Sequence, residues 1–140
     1  MGVEKLIYPV EQYRLGVLYM ARGTFKKIVA SINRSMSEVR SAFARTAADL
    51  AKEVMSAVVN TLTPEQRRVV QARPGDVWRT VVRHVYKAVA RVVKDKLYAG
   101  TLSIGADGKF NVTRAEIEPH IGGLNEDIRL TLRESYKLAV

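Results

Sequence analysis

The chain contains no cysteine, which excludes disulfides and every metal site built on thiolates. It also lacks an apolar run of membrane-spanning length. The longest uncharged stretch, Val54 to Pro64, is 11 residues, well short of the ~20 that cross a bilayer. No secretory leader is visible, because Glu4, Lys5, Glu11 and Arg14 interrupt the first apolar run. Gly2 is not followed by a myristoylation pattern, since Leu6 stands where Ser or Thr is wanted. A soluble, intracellular product is the expectation. Histidine is scarce, and neither His84 nor His120 has a second ligand at metal spacing. Both are read as structural, and no metal or other cofactor is expected. Acidic residues are also in deficit: 14 Asp and Glu face 23 Lys and Arg, leaving +9 and a pI near 10.0. The scarcity of Asn and Gln, with much Ala, Val and Arg, suits a hot habitat.

What is present is a chain of 140 residues, 47% hydrophobic and 26% charged, long enough to bury one core of its own. The charge is uneven. Residues 1–100 hold 18 basic and 8 acidic side chains, whereas residues 101–140 hold 5 and 6. A basic body therefore carries a near-neutral C-terminal part, and such a body calls for polyanionic partners.

Hydrophobic spacing reads as mainly α: long helices in a bundle, an extended N-terminal arm, and one small β-hairpin near residues 101–112. Residues 1–23 form the arm (Met1–Tyr8) and a short helix from Pro9 to Arg22, ended by Gly23. Residues 24–100 form a basic helical body and 101–140 the hairpin and C-terminal helices, all within one structural domain. The organising stretch runs from Thr24, its expected N-cap, to about Leu62. Phe25, Ile28, Ile32, Met36, Val39, Phe43, Ala47, Leu50, Val54 and Ala57 recur at alternating steps of three and four, the period of an amphipathic helix. If continuous, about 36 residues would make a rod of roughly 54 Å, longer than a globule with a radius of gyration of about 14 Å accommodates comfortably. Ser35-Met36-Ser37-Glu38 reads as an internal capping box, so a break near Asn33–Ser35 is the alternative.

Thr63-Pro64-Glu65-Gln66 is a clearer helix start, with a cap, Pro at N1 and Gln at N3. Pro74-Gly75 should end that helix, and Asp76 should cap the next, from Val77 to about Ala99, stopped by Gly100. Its apolar face is Trp78, Val81, Val82, Val85, Val89 and Val92. After Gly100 the period falls to two: Thr101–Ile104 and Lys109–Val112 flank Gly105-Ala106-Asp107-Gly108, a hairpin pattern with Leu102, Ile104, Phe110 and Val112 on its buried side. Thr113-Arg114-Ala115-Glu116 is another capping box, with Pro119 as its stop. A last helix from about Glu126 should bury Ile128, Leu132, Tyr136 and Leu138.

Two cationic constellations stand out. Between Arg67 and Lys94 lie Arg67, Arg68, Arg73, Arg79, Arg83, Lys87, Arg91 and Lys94, with Asp76 the only acid among them. Arg79, Arg83, Lys87 and Arg91 are spaced four apart, and like charges at that spacing repel by a few tenths of a kcal/mol per pair. A polyanion would relieve the repulsion, and phosphate backbones do so with release of counterions. The bland alternative is a solvated face; an anionic membrane or an acidic protein is a further one. The second constellation, Lys27, Arg34, Arg45 and Lys52, lies opposite the apolar stripe of the long helix. Glu38, Asp49 and Glu53 are close enough in sequence for ordinary pairing to account for much of it.

Base-specific readout finds no C₂H₂ pattern, basic zipper, helix-turn-helix or RNA-recognition sheet to support it. Repetitive cations instead suit contacts that position a protein on the backbone. Nor does an enzyme emerge: Gly105–Gly108 lacks the Lys-Ser/Thr and following helix of a P-loop, and Glu116 and Glu118 have no nucleophile beside them.

The arm Met1–Tyr8, the helix Pro9–Arg22, the long helix Thr24–Leu62, the basic helix Val77–Ala99 and the small C-terminal part together resemble the major coat proteins of filamentous archaeal viruses, tristromaviruses in particular. The likeness is architectural and rests on no diagnostic motif; the hairpin around Gly105 has no clear counterpart in it. It implies a virion protein made in the host cytoplasm. Coat subunits, as homo- or hetero-oligomers, would wrap double-stranded DNA in A form, with a viral envelope as a further contact and no small-molecule substrate. Carried over, it places Lys27, Arg34, Arg45 and Lys52, with Arg79, Arg83, Lys87 and Arg91, against phosphates. An archaeal nucleoid-associated DNA-packaging protein is the alternative. A small regulatory or enzymatic helper whose basic helix binds an acidic protein is a third.

Overall fold

The computed structural model describes residues 19–139; the expected arm and positions 9–18 of the expected helix Pro9–Arg22 lie outside them. Among the described residues the fold is mainly helical: α1 (Arg22–Ile32), α2 (Met36–Asn60), α3 (Pro64–Ala72), α4 (Pro74–Ala99), α5 (Arg114–Ile117) and α6 (Leu124–Ala139), with a 3-10 turn at Glu118–His120.

The organising stretch is not one rod. Asn33 takes a left-handed conformation (φ 54°, ψ 50°), which Asn tolerates better than most residues. Ser35 then restarts the helix: its hydroxyl accepts from the Glu38 N–H at 3.1 Å, and Glu38 Oε1 accepts from the Ser35 N–H at 3.4 Å. The apolar stripe is thereby split between two helices that pack together, with the Phe25 and Phe43 rings edge to face at 6.1 Å. Upstream, Thr24 is not the cap and Gly23 is not a stop. Both lie in the first turn of α1, whose N-cap is Ala21. A glycine ends a helix by adopting positive φ, and among the described glycines only Gly100 and Gly108 do so.

Thr63 and Gln66 cap α3 reciprocally, as their spacing requires. The helix after it begins earlier than expected, at Pro74, so Asp76 lies inside the first turn of α4. Gly100 closes α4 at φ 74°, and the Thr101 N–H reaches back to Lys96 O at 2.9 Å. This is a Schellman-type ending.

α4 lies at the centre, with its largest contacts to α2 and α6. Val77, Val81, Val85, Val89 and Val93 form a fully buried ridge. Each buried valine contributes about 1.5–3 kcal/mol relative to exposure, which outweighs the modest helix propensity of β-branched residues. Tyr86 is fully buried beside Phe43 and Tyr19.

The hairpin is not formed. Residues 101–112 make a single antiparallel bridge, Ile104 to Phe110, flanked by bonds from the Asn111 N–H to Ser103 O at 3.1 Å and from the Gly105 N–H to Lys109 O at 2.9 Å. It extends no further because the Asn111 side chain takes the groups the next pairs would use. The Ser103 N–H donates to the Asn111 side-chain carbonyl at 2.9 Å, and the Asn111 amide donates to Thr101 O at 2.9 Å. The Phe110 N–H points into α2, onto Thr46 Oγ1 at 2.9 Å. Leu102, Phe110 and Val112 are nonetheless buried, so the period of two located the inward side chains without implying a ladder.

Pro119 does not stop the turn after Thr113; it is incorporated into the 3-10 segment. In α6, Leu124, Ile128 and Leu132 are buried, but Tyr136 and Leu138 are 59% and 66% exposed. The next inward position is Ser135, which is buried because the facing surface of α4 is polar there.

Two substitutions test this packing. Thr46→Val should cost about 1–3 kcal/mol in chemical denaturation, since it leaves the buried Phe110 N–H without an acceptor. The buried Tyr86 hydroxyl has no hydrogen-bond partner among the described residues, so Tyr86→Phe should leave the melting temperature unchanged or raise it.

Candidate nucleic-acid interface

The width of the buried arc on α4 decides what that helix shows to water. From Arg79 to Lys94 every exposed position is cationic: Arg79, Arg83, Lys87, Arg91 and Lys94. The row runs the length of the helix on its one solvent-facing strip. Lys27 on α1 approaches its far end, with its ammonium 6.0 Å from the centre of the Tyr98 ring.

The row is not free of carboxylates, contrary to the linear reading. Arg79 pairs with Asp76 at 2.9 Å, Arg83 with Asp127 at 3.3 Å and Arg91 with Asp95 at 3.4 Å. Asp127 comes from α6, 44 positions further along, so the pairing is tertiary. These three arginine side chains remain 73%, 52% and 65% exposed. A guanidinium carries five N–H donors, so one aspartate orients it and leaves donors facing solvent. Lys87 and Lys94 have no ion pair among the described residues.

The other proposed contacts divide. Arg67 donates to Val59 O at 3.2 Å and Asn60 O at 3.3 Å, satisfying carbonyls at the end of α2. Arg73 donates to Asp76 at 2.6 Å. Arg45 donates to Asp107 O at 3.4 Å and lies against Gly108, where an added Cβ would stand 2.7 Å from its Nη1. These three serve the fold. The stripe of Lys27, Arg34, Arg45 and Lys52 is dispersed by the break at Asn33: Lys27 is on α1, Arg34 in the linker, Arg45 and Lys52 on α2. Arg34 pairs with Glu38 at 3.1 Å, from the linker onto the first turn of α2. Asp49 instead pairs with Lys109 from the 101–112 loop, and that contact raises the Lys109 pKa. Lys52 is half-buried without an ion pair among the described residues, and Arg68 is exposed on α3 beside α6.

A polar seam between α4 and α6 was missed. Asp76 accepts from Ser135 Oγ at 2.9 Å, the Thr80 and Thr131 hydroxyls lie 2.8 Å apart, and His84 Nε2 lies 2.6 Å from Asp127 Oδ2. An ionised carboxylate only accepts, so Nε2 carries the hydrogen. The signal was in the sequence as two i, i+4, i+8 series, Asp76–Thr80–His84 and Asp127–Thr131–Ser135, whose matching order reverses along antiparallel helices. The hydrogen bond from Arg73, helped by those from Ser135 and Arg79, holds the Asp76 carboxyl below its ordinary range despite partial burial. His84 foremost, then Arg83, does the same for Asp127. Among the described residues there is no group of three or more potential metal ligands and no helix long and apolar enough to cross a membrane.

Comparison with known protein families, with curated proteins and with solved structures finds no match to this chain.

Asp76 makes the α4–α6 seam pH-dependent. A carboxyl whose pKa is lowered on folding stabilises above its unfolded value of about 3.9 and ceases to as pH falls through the folded value. Asp76→Asn should therefore cost about 1–3 kcal/mol at pH 7, toward the low end because Arg79 is solvated. In urea denaturation the gap to the parent should close as pH drops below about 4.

Proposed function

We propose that this chain is a structural coat protein that polymerises around double-stranded DNA and packages it non-specifically, through phosphate contacts, in a helical filamentous virion. The observation that carries the reading is the wholly cationic exposed row of α4. Five cations on one strip of a rigid helix form a linear array that can follow a polyphosphate backbone. The aspartates behind three of them fix the guanidinium planes, and bidentate phosphate recognition benefits from that order. Exposed apolar side chains at Tyr98, Leu130 and Leu138 are available to neighbouring copies in a repeating assembly.

A second reading, an archaeal nucleoid-associated protein that coats or bends DNA without a regular lattice, is favoured by the break at Asn33. Folding α1 back onto α2 leaves the molecule less elongated than a continuous rod. Electron microscopy of the protein mixed with linear duplex separates the two: filaments of constant helical repeat support the coat, irregular bent complexes the nucleoid protein.

Both readings need salt-dependent binding. Log affinity for duplex DNA should fall with log salt at a slope of about −4 to −5 if the α4 row meets five phosphates. Lys87→Gln with Lys94→Gln, which touches no ion pair of the fold, should make that slope shallower by about two and weaken all sequences alike. A flat salt response, or an unchanged slope in the double variant, would remove the row as the binding element.

A further inference from the structure

We infer that the cleft between α3 and α6 is a second anion site, one that takes a nucleotide unit of an unpaired strand. It encloses about 730 Å³, within the range of small-ligand sites. Arg68 enters from α3, and Arg129 and Arg133 from α6. None of the three has an ion pair among the described residues. The arginines of α4 differ in this respect, since Arg79, Arg83 and Arg91 each lie against an aspartate. The structure thus pairs three of the five cations in the row that looks bare in the sequence and leaves the guanidinium groups of this cleft with no carboxylate partner among the described residues. Arg129 and Arg133 are one helical turn apart, where like charges repel. The one acid on the lining is Glu65, placed in the first turn of α3, where a negative charge complements the helix dipole.

The remaining lining supplies the other half of a nucleotide's chemistry. Leu132 is buried and Val69 half-buried, giving an apolar floor. Tyr136 stands beside it, 59% exposed, although the spacing of α6 marked it as a core residue. An exposed aromatic ring next to unpaired guanidinium groups matches a base with its phosphate: the ring stacks and the arginines bind the phosphate bidentately. A base inside a duplex has no free face to offer. This cleft therefore prefers unpaired strand, whereas the α4 row needs only a backbone. The inference rests on the nucleic-acid reading above for the identity of the polymer, but it concerns different residues.

Fluorescence anisotropy with labelled oligothymidylate and with a duplex of equal length tests it. Tyr136→Ala should weaken single-strand binding by about tenfold or more, as loss of one stacked base does, and leave duplex affinity within twofold. Arg129→Gln with Arg133→Gln should weaken the single strand and reduce its salt slope. Lys87→Gln with Lys94→Gln should weaken the duplex and the single strand alike, since the α4 row needs only a backbone. Circular dichroism melting of each variant checks that the fold is retained, and all of these positions are exposed. Titration with thymidine 5′-monophosphate tells a free nucleotide from a strand: binding of the monophosphate at the oligomer's affinity would identify a mononucleotide pocket and overturn the strand assignment. Single-strand binding that is absent, or unaltered by both the Tyr136 and the arginine variants, would overturn the site altogether. Neither result bears on the duplex row, which stands or falls with the Lys87 and Lys94 variant.

Discussion

Burial of α4 on nearly all sides is the constraint from which the other features follow. A helix of 26 residues that packs valine against two long neighbours has one strip left for water. Polar side chains must occupy that strip, and here the exposed ones from Arg79 to Lys94 are all cations. Because the helix is held by tertiary packing, it tolerates both the β-branched ridge and the repulsion along the row. An isolated peptide of this sequence would suffer from both.

The charge is distributed in a way that composition conceals. A net +9 suggests cations in excess everywhere, yet the aspartates are placed with economy. Asp76 accepts from Arg73, Arg79 and Ser135, and Asp127 from Arg83 and His84. Both are therefore seam elements and orienting groups at once, so the docking of α6 and the posture of the α4 arginines share the same carboxylates. Three arginines without an ion pair among the described residues, Arg68, Arg129 and Arg133, lie together elsewhere, at the cleft of α3 and α6. A binding surface and a stabilising seam are thus parts of one electrostatic arrangement.

The 101–112 segment shows the same dependence on context. Its alternating pattern marked Leu102, Ile104, Phe110 and Val112 as inward, and of these Leu102, Phe110 and Val112 are buried while Ile104 is half-buried. What kept the bridge from growing into a hairpin was competition for backbone hydrogen bonds: the Asn111 side chain takes the Ser103 donor and the Thr101 acceptor that a longer ladder would have used. Thr46 of α2 anchors Phe110 through an N–H that faces away from the pair. Thr46 itself, buried and bonded to Ala42 O at 2.7 Å, looks in the sequence like one more small residue on a helix.

The sequence by itself determined the features governed by neighbours within one turn: the capping boxes at Ser35 and Thr63, the Gly100 stop, the apolar face of Trp78, Val81, Val82, Val85, Val89 and Val92, and the spacing of Arg79, Arg83, Lys87 and Arg91. These are local because a helix terminus is closed by groups three or four residues away. Tertiary structure alone decided that Arg83 would be paired, since Asp127 reaches it across 44 positions, whereas the Arg79–Asp76 and Arg91–Asp95 pairs lie within one turn of α4. It also decided that Tyr136 would face a cleft instead of the core, and that Arg129 and Arg133 would line that cleft with Arg68. Periodicity states which side chains share a face of a helix. What that face meets is set by the packing of whole helices, where long-range burial and charge pairing outweigh local preference.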